Sequence, residues 1–315
     1  MKSKIKLTIG LVFISVLGIS QQAPQFTQFW NNYSLYNPAY TASGMEIIQF
    51  GSNYRTDFDN SGNQPFIVSA NYEHKIKSIN SGVGLGCAFQ RVGLMKSQNL
   101  YLNYAFHLPL PKLKGSLSIG VSADWQRMKF STMWNGPTTG TNSSLDPSLP
   151  TGPVGHALNI NSGVLFRSRK LKIGLSLTQI NEPRLTKVNF TNARHLFALA
   201  SYDFRIRNTV GYTPMVLFKS DFVSRTVELN NMFDYKKKVF LGASYRHTDA
   251  IAFQVGFQFK FFTRSRGVSE GGKDSGTLKS SPDLFKVMYS YDISTGPLSH
   301  HGYNSHEISI AYRIW

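Results

Sequence analysis

The feature that most constrains this chain is an alternation of apolar with polar or small side chains, repeated in runs of about ten residues. Successive side chains of a β-strand point to opposite faces, so this pattern predicts strands with one apolar face. About fourteen such runs follow one another from residue 46 onward. Residues 98–108, 116–127 and 251–259 are clear examples, whereas residues 194–205 and 211–235 alternate less regularly.

The length of these runs indicates the fold class. Strands of globular proteins are usually about 5–6 residues long, whereas strands that cross a membrane in a barrel need about 9–11 residues. An even number of antiparallel strands, apolar outside and polar or glycine-rich inside, is typical of bacterial outer-membrane proteins. The sequence therefore predicts an all-β protein: a transmembrane antiparallel β-barrel of about fourteen strands over residues 45–315. A secreted β-sandwich, whose strands also alternate, is the alternative.

The amino-terminal residues predict export. Residues 1–20 combine three early lysines, an apolar run at 7–17, and the small residues Gly18 and Ser20 before a cleavage point near Gln21. They read as a signal peptide rather than a membrane anchor, because the apolar run is too short to span a bilayer as a helix. Together with the barrel pattern, this predicts a location in the cell outer membrane.

The connections between the runs also alternate in character. With the cleaved amino terminus in the periplasm, the connections on that side are mostly short and all carry Lys or Arg, as in "PLPKLKG" and "YKKK". The opposite set is longer and rich in Gly, Pro, Ser, Thr and Asn, as in residues 131–155. Short periplasmic turns and long outer loops are typical of such barrels. Part of the net charge of +17 is thus expected on the periplasmic rim, for binding protein partners or lipid phosphates. We expect no nucleic-acid partner, because the chain is exported and has no such motif.

Residues 21–44, between the signal peptide and the first strand, are dense in aromatic and amide side chains. Asn37 and Pro38 form a turn-initiating pair. A barrel of this size leaves space in its lumen, and we hypothesise that residues 22–44 fold against the barrel as a plug, in the lumen or across its periplasmic mouth. The alternative is a periplasmic arm that waits for a partner.

Three stretches of the sequence resemble the PorP/SprF family of outer-membrane proteins, which is tied to the type IX secretion system of gliding and related bacteria. The middle stretch is "LGASYRHTDAIAFQVGFQF" at residues 241–259. The matching residues of the other two are Pro24, Gln25, Phe26, Thr27, Gln28, Asn37, Pro38, Ala39 and Tyr40, and then His306, Glu307, Ile308, Tyr312 and Arg313.

This resemblance implies an outer-membrane barrel that supports type IX protein secretion, surface attachment of a cargo adhesin, or gliding. It would act by binding periplasmic or outer-membrane secretion components, or a secreted adhesin, in contact with outer-membrane lipid. The motif at residues 25–28 and 37–40 is the candidate plug. The resemblance assigns Tyr312, Arg313 and Trp315 to the terminal strand used in membrane assembly, although the terminal aromatic residue is displaced by one position here. The connection at 262–283 is also longer than the family's usual turn.

HExxH and CxxC are absent, and the one match to GxSxG, at residues 267–271, lies in the polar connection at 262–283 and not between a strand and a helix, as the nucleophile motif requires. His300, His301 and His306 could collect a metal in one loop, but they flank an ordinary turn sequence. The sequence therefore predicts no enzyme, no cofactor and no metal. The alternative function is a diffusion channel for small solutes. Inward basic positions would favour anions in such a channel, and the candidates are Arg55, Lys172, Lys219 and Arg246.

Overall fold

The structure is a computed structural model that describes residues 25–44, 48–57, 65–93, 95–130, 154–185, 188, 190–206, 209–247, 249–260, 282–295 and 304–315. The predicted signal peptide at 1–20 and most of the 262–283 connection lie outside these residues. The strands are β1 (Ile48–Asp57), β2 (Phe66–Ile76), β3 (Ser81–Val92), β4 (Met95–Leu110), β5 (Gly115–Phe130), β6 (Val154–Ser168), β7 (Leu171–Thr178), β8 (Arg184–Leu185), β9 (Phe190–Thr191), β10 (His195–Tyr202), β11 (Phe204–Ile206), β12 (Val210–Ser220), β13 (Arg225–Tyr235), β14 (Val239–Arg246), β15 (Ala250–Lys260), β16 (Leu284–Ser294) and β17 (Ser305–Ile314).

Short 3-10 helices complete the described secondary structure. Two lie before β1, at Phe29–Leu35 and Pro38–Tyr40, and two form strand connections, at Lys77–Ile79 and Pro111–Leu113. Among the residues that the structure describes, no helix is long and apolar enough to cross a membrane.

The strands form a closed antiparallel barrel. Neighbours along the chain pair with one another, and β1 also pairs with β17, from Ile48↔Ile314 to Asp57↔Ser305. The short strands β10 and β11 both pair with β12 and are separated only by Asp203, so they act as one interrupted strand of the wall. The wall therefore has fourteen strands, which confirms the predicted fold class. The hairpin of β8 and β9 forms a separate small sheet.

The side chains alternate between the outer and inner face of this wall as the sequence predicts. On β4 the outer residues Leu100, Leu102 and Tyr104 are exposed, while the inner residues Tyr101 and Asn103 are buried. The outer apolar faces of neighbouring strands lie side by side in the register, and together they form a continuous band for contact with lipid.

The strands whose alternation is weak in the sequence are β10 to β13. On β10 and β12 part of the inner face is apolar as well as the outer one, because Phe197, Leu199, Met215 and Leu217 are buried in the lumen. Two apolar faces remove the contrast on which the period-two signal depends.

The two ends of the barrel differ. We call the end at which β1, β3, β5, β7, β12, β14 and β16 finish the loop end, and the opposite end the turn end. Turn-end connections are the short intervals 77–80, 111–114, 169–170, 207–209 and 236–238 and the long interval 261–283. Loop-end connections include the long intervals 131–153 and 179–194.

If the apolar band contacts lipid, a charge placed in it should destabilise the protein more than a charge placed outside it. Leu102 lies in the middle of β4 on the outer face, and Leu113 lies in a turn-end connection; both side chains are 60% exposed. We expect Leu102→Arg to lower the free energy of unfolding by about 2–4 kcal/mol and Leu113→Arg by about 0–1 kcal/mol, because only the first buries a charge in lipid. Urea unfolding of protein refolded into lipid vesicles measures both values. Equal losses for the two variants would contradict a membrane-embedded band.

Candidate functional site

Residues 25–44, which we call the inner segment, lie inside the barrel. Most of their side chains are buried, and Phe26, Phe29, Ala39 and Tyr40 are 0–5% exposed. The segment contacts the inner faces of β1, β4, β5 and β6. It is therefore the main filling of the described lumen, and the geometry of its contacts is the candidate functional site.

The local fold of the inner segment follows from its turn-forming residues. The Asn37 side chain accepts a hydrogen bond from the Ala39 N–H at 2.9 Å and so caps the second 3-10 helix. Pro38 occupies the first position of that helix, where its missing N–H costs nothing. Tyr33 and Tyr40 stack with their ring centroids 4.6 Å apart and thereby fold the two helices against each other.

Apolar contacts hold one side of the inner segment against the wall. Phe26, Phe29, Tyr36, Ala39 and Tyr40 form a single buried cluster with wall residues. These wall residues are Leu165, Phe197, Leu199, Met215, Leu217, Met232 and Met288. Burial of this size stabilises the segment by about 1.5–3 kcal/mol for each large side chain removed from water.

Glycines of the wall make room for the segment. A Cβ atom at Gly120 of β5 would collide with the backbone of Pro38 and Ala39, and one at Gly82 of β3 with the backbone of Thr41. At Gly163 and Gly174 the open space admits the Asn37 side chain, whose Nδ2 donates to the Val164 carbonyl at 3.1 Å. The wall and the segment thus have complementary shapes.

The inner segment runs the length of the lumen. At the loop end, Gln25 Nε2 donates to Asp249 Oδ2 at 3.1 Å, in the connection between β14 and β15. At the turn end, the Ala42 N–H donates to Glu73 Oε2 at 2.7 Å, and Lys75 Nζ donates to the Gly44 carbonyl at 2.6 Å. The chain therefore passes from the loop end at residue 25 to the turn end before it enters β1.

The loop-end part of the segment is bound by a cluster of buried charges, which we call the loop-end cluster: Arg55, Glu228, Arg246, Asp292 and Glu307. The Thr27 hydroxyl lies among them. It accepts from Arg55 Nη1 at 3.2 Å and from Arg246 Nη2 at 3.0 Å, and it donates to Asp292 Oδ2. These three bonds use the whole hydrogen-bonding capacity of a hydroxyl group.

Glu307 binds the backbone of the same residues. Its two carboxylate oxygens accept from the Thr27 N–H at 2.7 Å and the Gln28 N–H at 3.1 Å. The Gln28 amide in turn donates to Ser290 Oγ and to the Glu307 carbonyl, both at 3.2 Å, and accepts from Ser309 Oγ. Backbone and side chain of the segment are therefore both recognised by β16 and β17.

Two of the three carboxylates of the cluster form ion pairs within it. Arg246 Nε lies 3.1 Å from Glu228 Oε2 and Arg55 Nη1 lies 3.2 Å from Asp292 Oδ2, with both carboxylate side chains 1–2% exposed. Removing one partner of a buried pair typically costs about 3–5 kcal/mol, because the other charge is left without compensation. Asp249, in the loop-end connection, also contacts Arg246. Burial alone would raise the pKa of this carboxyl, but the Arg246 guanidinium at 2.9 Å brings the pKa below its ordinary value.

The three sequence stretches that resemble one family meet at this cluster. The first contributes Thr27 and Gln28, the second Arg246 and Asp249, and the third Glu307. Sequence reasoning placed Arg55 and Arg246 on the inner face but missed Asp292 and Glu228 as their partners. The sequence feature that could have revealed them is an acidic residue at an inward-facing position of a strand, near the same end of the barrel.

The other candidate residues lie elsewhere. Lys172 and Lys219 are on the inner faces of β7 and β12, as expected. Tyr312 is at the turn-end part of β17 and donates to Asp283 Oδ2 at 2.7 Å, and Arg313 Nε donates to Gln49 Oε1 at 3.2 Å. Trp315 follows the strand and is half-buried. The assembly role of these three residues stays a prediction.

His306 lies on the outer face of β17, where its Nδ1 is 2.6 Å from the Tyr289 hydroxyl. His300 and His301 are outside the described residues. Within the described ranges, no three His, Cys, Asp or Glu side chains are arranged to hold a metal ion.

Comparisons with known proteins give a family and a fold. The family model described as "Type IX secretion system membrane protein PorP/SprF" matches residues 19–312. A comparison with curated proteins found no match.

Among solved structures, the CymD monoaromatic hydrocarbon channel is 12% identical, with a TM-score of 0.53 and 94% of each chain covered. The toluene transporter TodX of P. putida is 8% identical, with a TM-score of 0.49, 88% of this chain covered and 92% of its own. Omp33 of Acinetobacter baumannii is 11% identical, with a TM-score of 0.44, 86% of this chain covered and 100% of its own. At such identities the likeness to CymD concerns the fold alone.

The Thr27 hydroxyl provides a test of the loop-end cluster. We expect Thr27→Val, which keeps the shape but removes the hydroxyl, to lower the free energy of unfolding by about 2–3 kcal/mol, because two guanidinium donors and one carboxylate lose a partner. Thr41→Val is the matched control: Thr41 is equally buried in the inner segment, but its hydroxyl has no hydrogen-bond partner among the described residues. Denaturant unfolding in detergent measures both, and equal stabilities would contradict the role of Thr27.

Proposed function

Because the chain belongs to the family of type IX secretion system membrane proteins PorP/SprF, we propose that it supports type IX secretion by binding other proteins, not by catalysis. The observation that carries this proposal is the inner segment, which occupies the described lumen from one end to the other. A barrel filled in this way is suited to anchoring and docking. Family and fold are those of a secretion-associated outer-membrane barrel, which is not a known class of enzyme.

We place the turn end in the periplasm and the loop end at the cell surface. Bacterial outer-membrane barrels have short periplasmic turns and longer outer loops, and the described ends differ in the same sense. In this orientation the loop-end connections face a secreted surface adhesin. The turn end faces the periplasmic components of the secretion system.

The charge of the turn end supports a docking role there. Its short connections carry exposed basic residues and no acidic ones. These residues are Lys77, Lys112, Lys114, Arg169, Lys170, Lys236, Lys237 and Lys238. A set of short connections that carries only basic residues attracts and orients an acidic protein surface. Lipid phosphates are the competing ligands of these connections, because they lie at the same depth.

The alternative function is a diffusion channel, and the fold shared with the CymD channel is compatible with it. The inward basic residues give it weak support. Arg55 and Arg246 are paired with carboxylates in the loop-end cluster, so they leave little positive charge to select anions. The inner segment would also have to move before solutes could pass.

Conductance separates these two functions. We expect the wild-type protein to show no channel steps in planar lipid bilayers, and Gly120→Leu to conduct, because a side chain at this position collides with the Pro38–Ala39 backbone and displaces the inner segment. Ala123→Leu, on the outer face of the same strand, is the control and should stay closed. Heat-modifiable gel mobility confirms that each variant is folded. Channel steps in the wild-type protein as large as those of Gly120→Leu would favour the channel function.

The docking role is tested by identifying the proteins that co-purify with this chain. We expect gentle detergent extraction of the native envelope and affinity purification of the tagged protein to recover periplasmic secretion components. The triple variant Lys112→Gln, Lys170→Gln, Lys238→Gln should reduce this recovery at least tenfold, because it removes three exposed charges from the turn end. The control triple Lys96→Gln, Lys129→Gln, Arg225→Gln removes three exposed charges from the loop end. It should leave the recovery of the periplasmic components unchanged.

Three outcomes of this purification have different meanings. Recovery of a single large surface protein would identify the chain as the dedicated partner of that cargo. Loss of partners in both triple variants would point to a general effect of charge. Recovery of the barrel alone, even after crosslinking, would contradict the docking proposal.

A further inference from the structure

A small cavity lies between the inner segment and one side of the barrel wall, in the loop-end half of the lumen. It is partly open and has a volume of about 70 Å³. The inner segment contributes Tyr36, and the wall contributes Asn99, Tyr101, Asp124, Gln179 and Phe197. The proposed function above makes no use of this cavity.

Among the described residues that line the cavity, Asp124 of β5 is the one carboxylate. Its oxygens accept from Asn99 Nδ2 at 3.1 and 3.2 Å and from Asn159 Nδ2 at 3.1 Å. Among the described residues no Lys, Arg or His forms an ion pair with it, whereas Glu228 and Asp292 each have a guanidinium partner. Neutral amides hold the carboxylate in place and supply no opposite charge.

The amides around Asp124 are themselves held in position. Asn192 Nδ2 donates to Asn159 Oδ1 at 2.8 Å and to Gln126 Oε1 at 2.6 Å. This orients Asn159 so that its amino group points to the carboxylate. The site is thus built by three neighbouring elements, β4, β5 and β6, and by the segment that follows β9.

The rest of the lining suits a flat organic cation. Tyr101 and Phe197 are 5% and 3% exposed and present aromatic rings to the cavity, with the Tyr36 ring 5.4 Å from that of Phe197. Guanidinium groups stack on aromatic rings and bind carboxylates through planar N–H donors. The volume equals that of about two water molecules and is far below the ~300 Å³ of pockets that enclose a whole small molecule. The cavity has room for a head group only.

We propose that this cavity binds a single guanidinium group, with Asp124 as its counter-charge. The group enters from the loop end, where Gln179 and His195 line the cavity. It is the head group of a basic side chain on a partner protein, or of a free small cation of the same chemistry. The site does not depend on the turn-end docking surface, so the two proposals can fail separately.

Calorimetric titration of the purified full-length barrel in detergent tests this site. The probes are acetyl-Gly-Arg-Gly-amide, the isosteric neutral peptide with citrulline in place of arginine, methylguanidinium and glucose. We expect the arginine peptide to bind at least tenfold more tightly than the citrulline peptide, and Asp124→Asn to abolish this difference. Glu182→Gln is the matched control, since it removes a loop-end carboxylate that is exposed and paired with Arg194, and it should change the affinity less than twofold.

A second variant keeps the test decisive if Asp124→Asn folds poorly. Ala88→Phe, at a buried lining position on β3, fills the cavity while leaving Asp124 itself unchanged and should also abolish binding. Tighter binding of the arginine peptide than of methylguanidinium assigns the site to a partner's side chain, and equal binding assigns it to a free cation. The proposal is overturned if no probe binds to the folded barrel, if both peptides bind equally, or if glucose binds and Asp124→Asn leaves that binding unchanged.

Discussion

The structure depends on the pairing of its first and last strands. In lipid no water is available to bond an unpaired N–H or C=O group, so a membrane-spanning sheet must have no open edge. The ten residue pairs between β1 and β17 close the sheet, and closure creates a lumen into which every second side chain points. The inward position of the loop-end cluster, the inner segment and the small cavity all follow from this one constraint.

The lumen is filled by the chain's own amino-terminal segment, and the wall is shaped to receive it. Glycines lie where the segment's backbone approaches the wall, as at Gly82 and Gly120, and apolar side chains lie where its aromatic rings need contacts. This complementarity explains why β10 and β12 carry apolar residues on both faces. Their inner face packs on the segment and their outer face meets lipid, so the pattern there departs from simple alternation.

Buried charge is used differently in two parts of the lumen. In the loop-end cluster each guanidinium has a carboxylate partner, and the Thr27 hydroxyl joins Arg55, Arg246 and Asp292 into one network. The result is a firm attachment of the inner segment near its loop-end limit. The Asp124 carboxylate has only amide partners and borders a cavity, and these two features together are the reason for assigning a ligand there and none at the cluster.

By itself, the sequence determined the barrel class, the approximate strand number and the face to which most side chains point, because alternation with a period of two is a property of each strand alone. It also indicated that residues 25–40 are unusual, and that Arg55 and Arg246 point inward. The path of the inner segment and the partners of its residues were decided only by the tertiary structure. Thr27 and Asp292 are 265 positions apart, and they meet because closure and register bring the ends of β1, β14, β16 and β17 to one rim. No local pattern encodes that meeting, since it depends on the stagger of all fourteen strands around the wall.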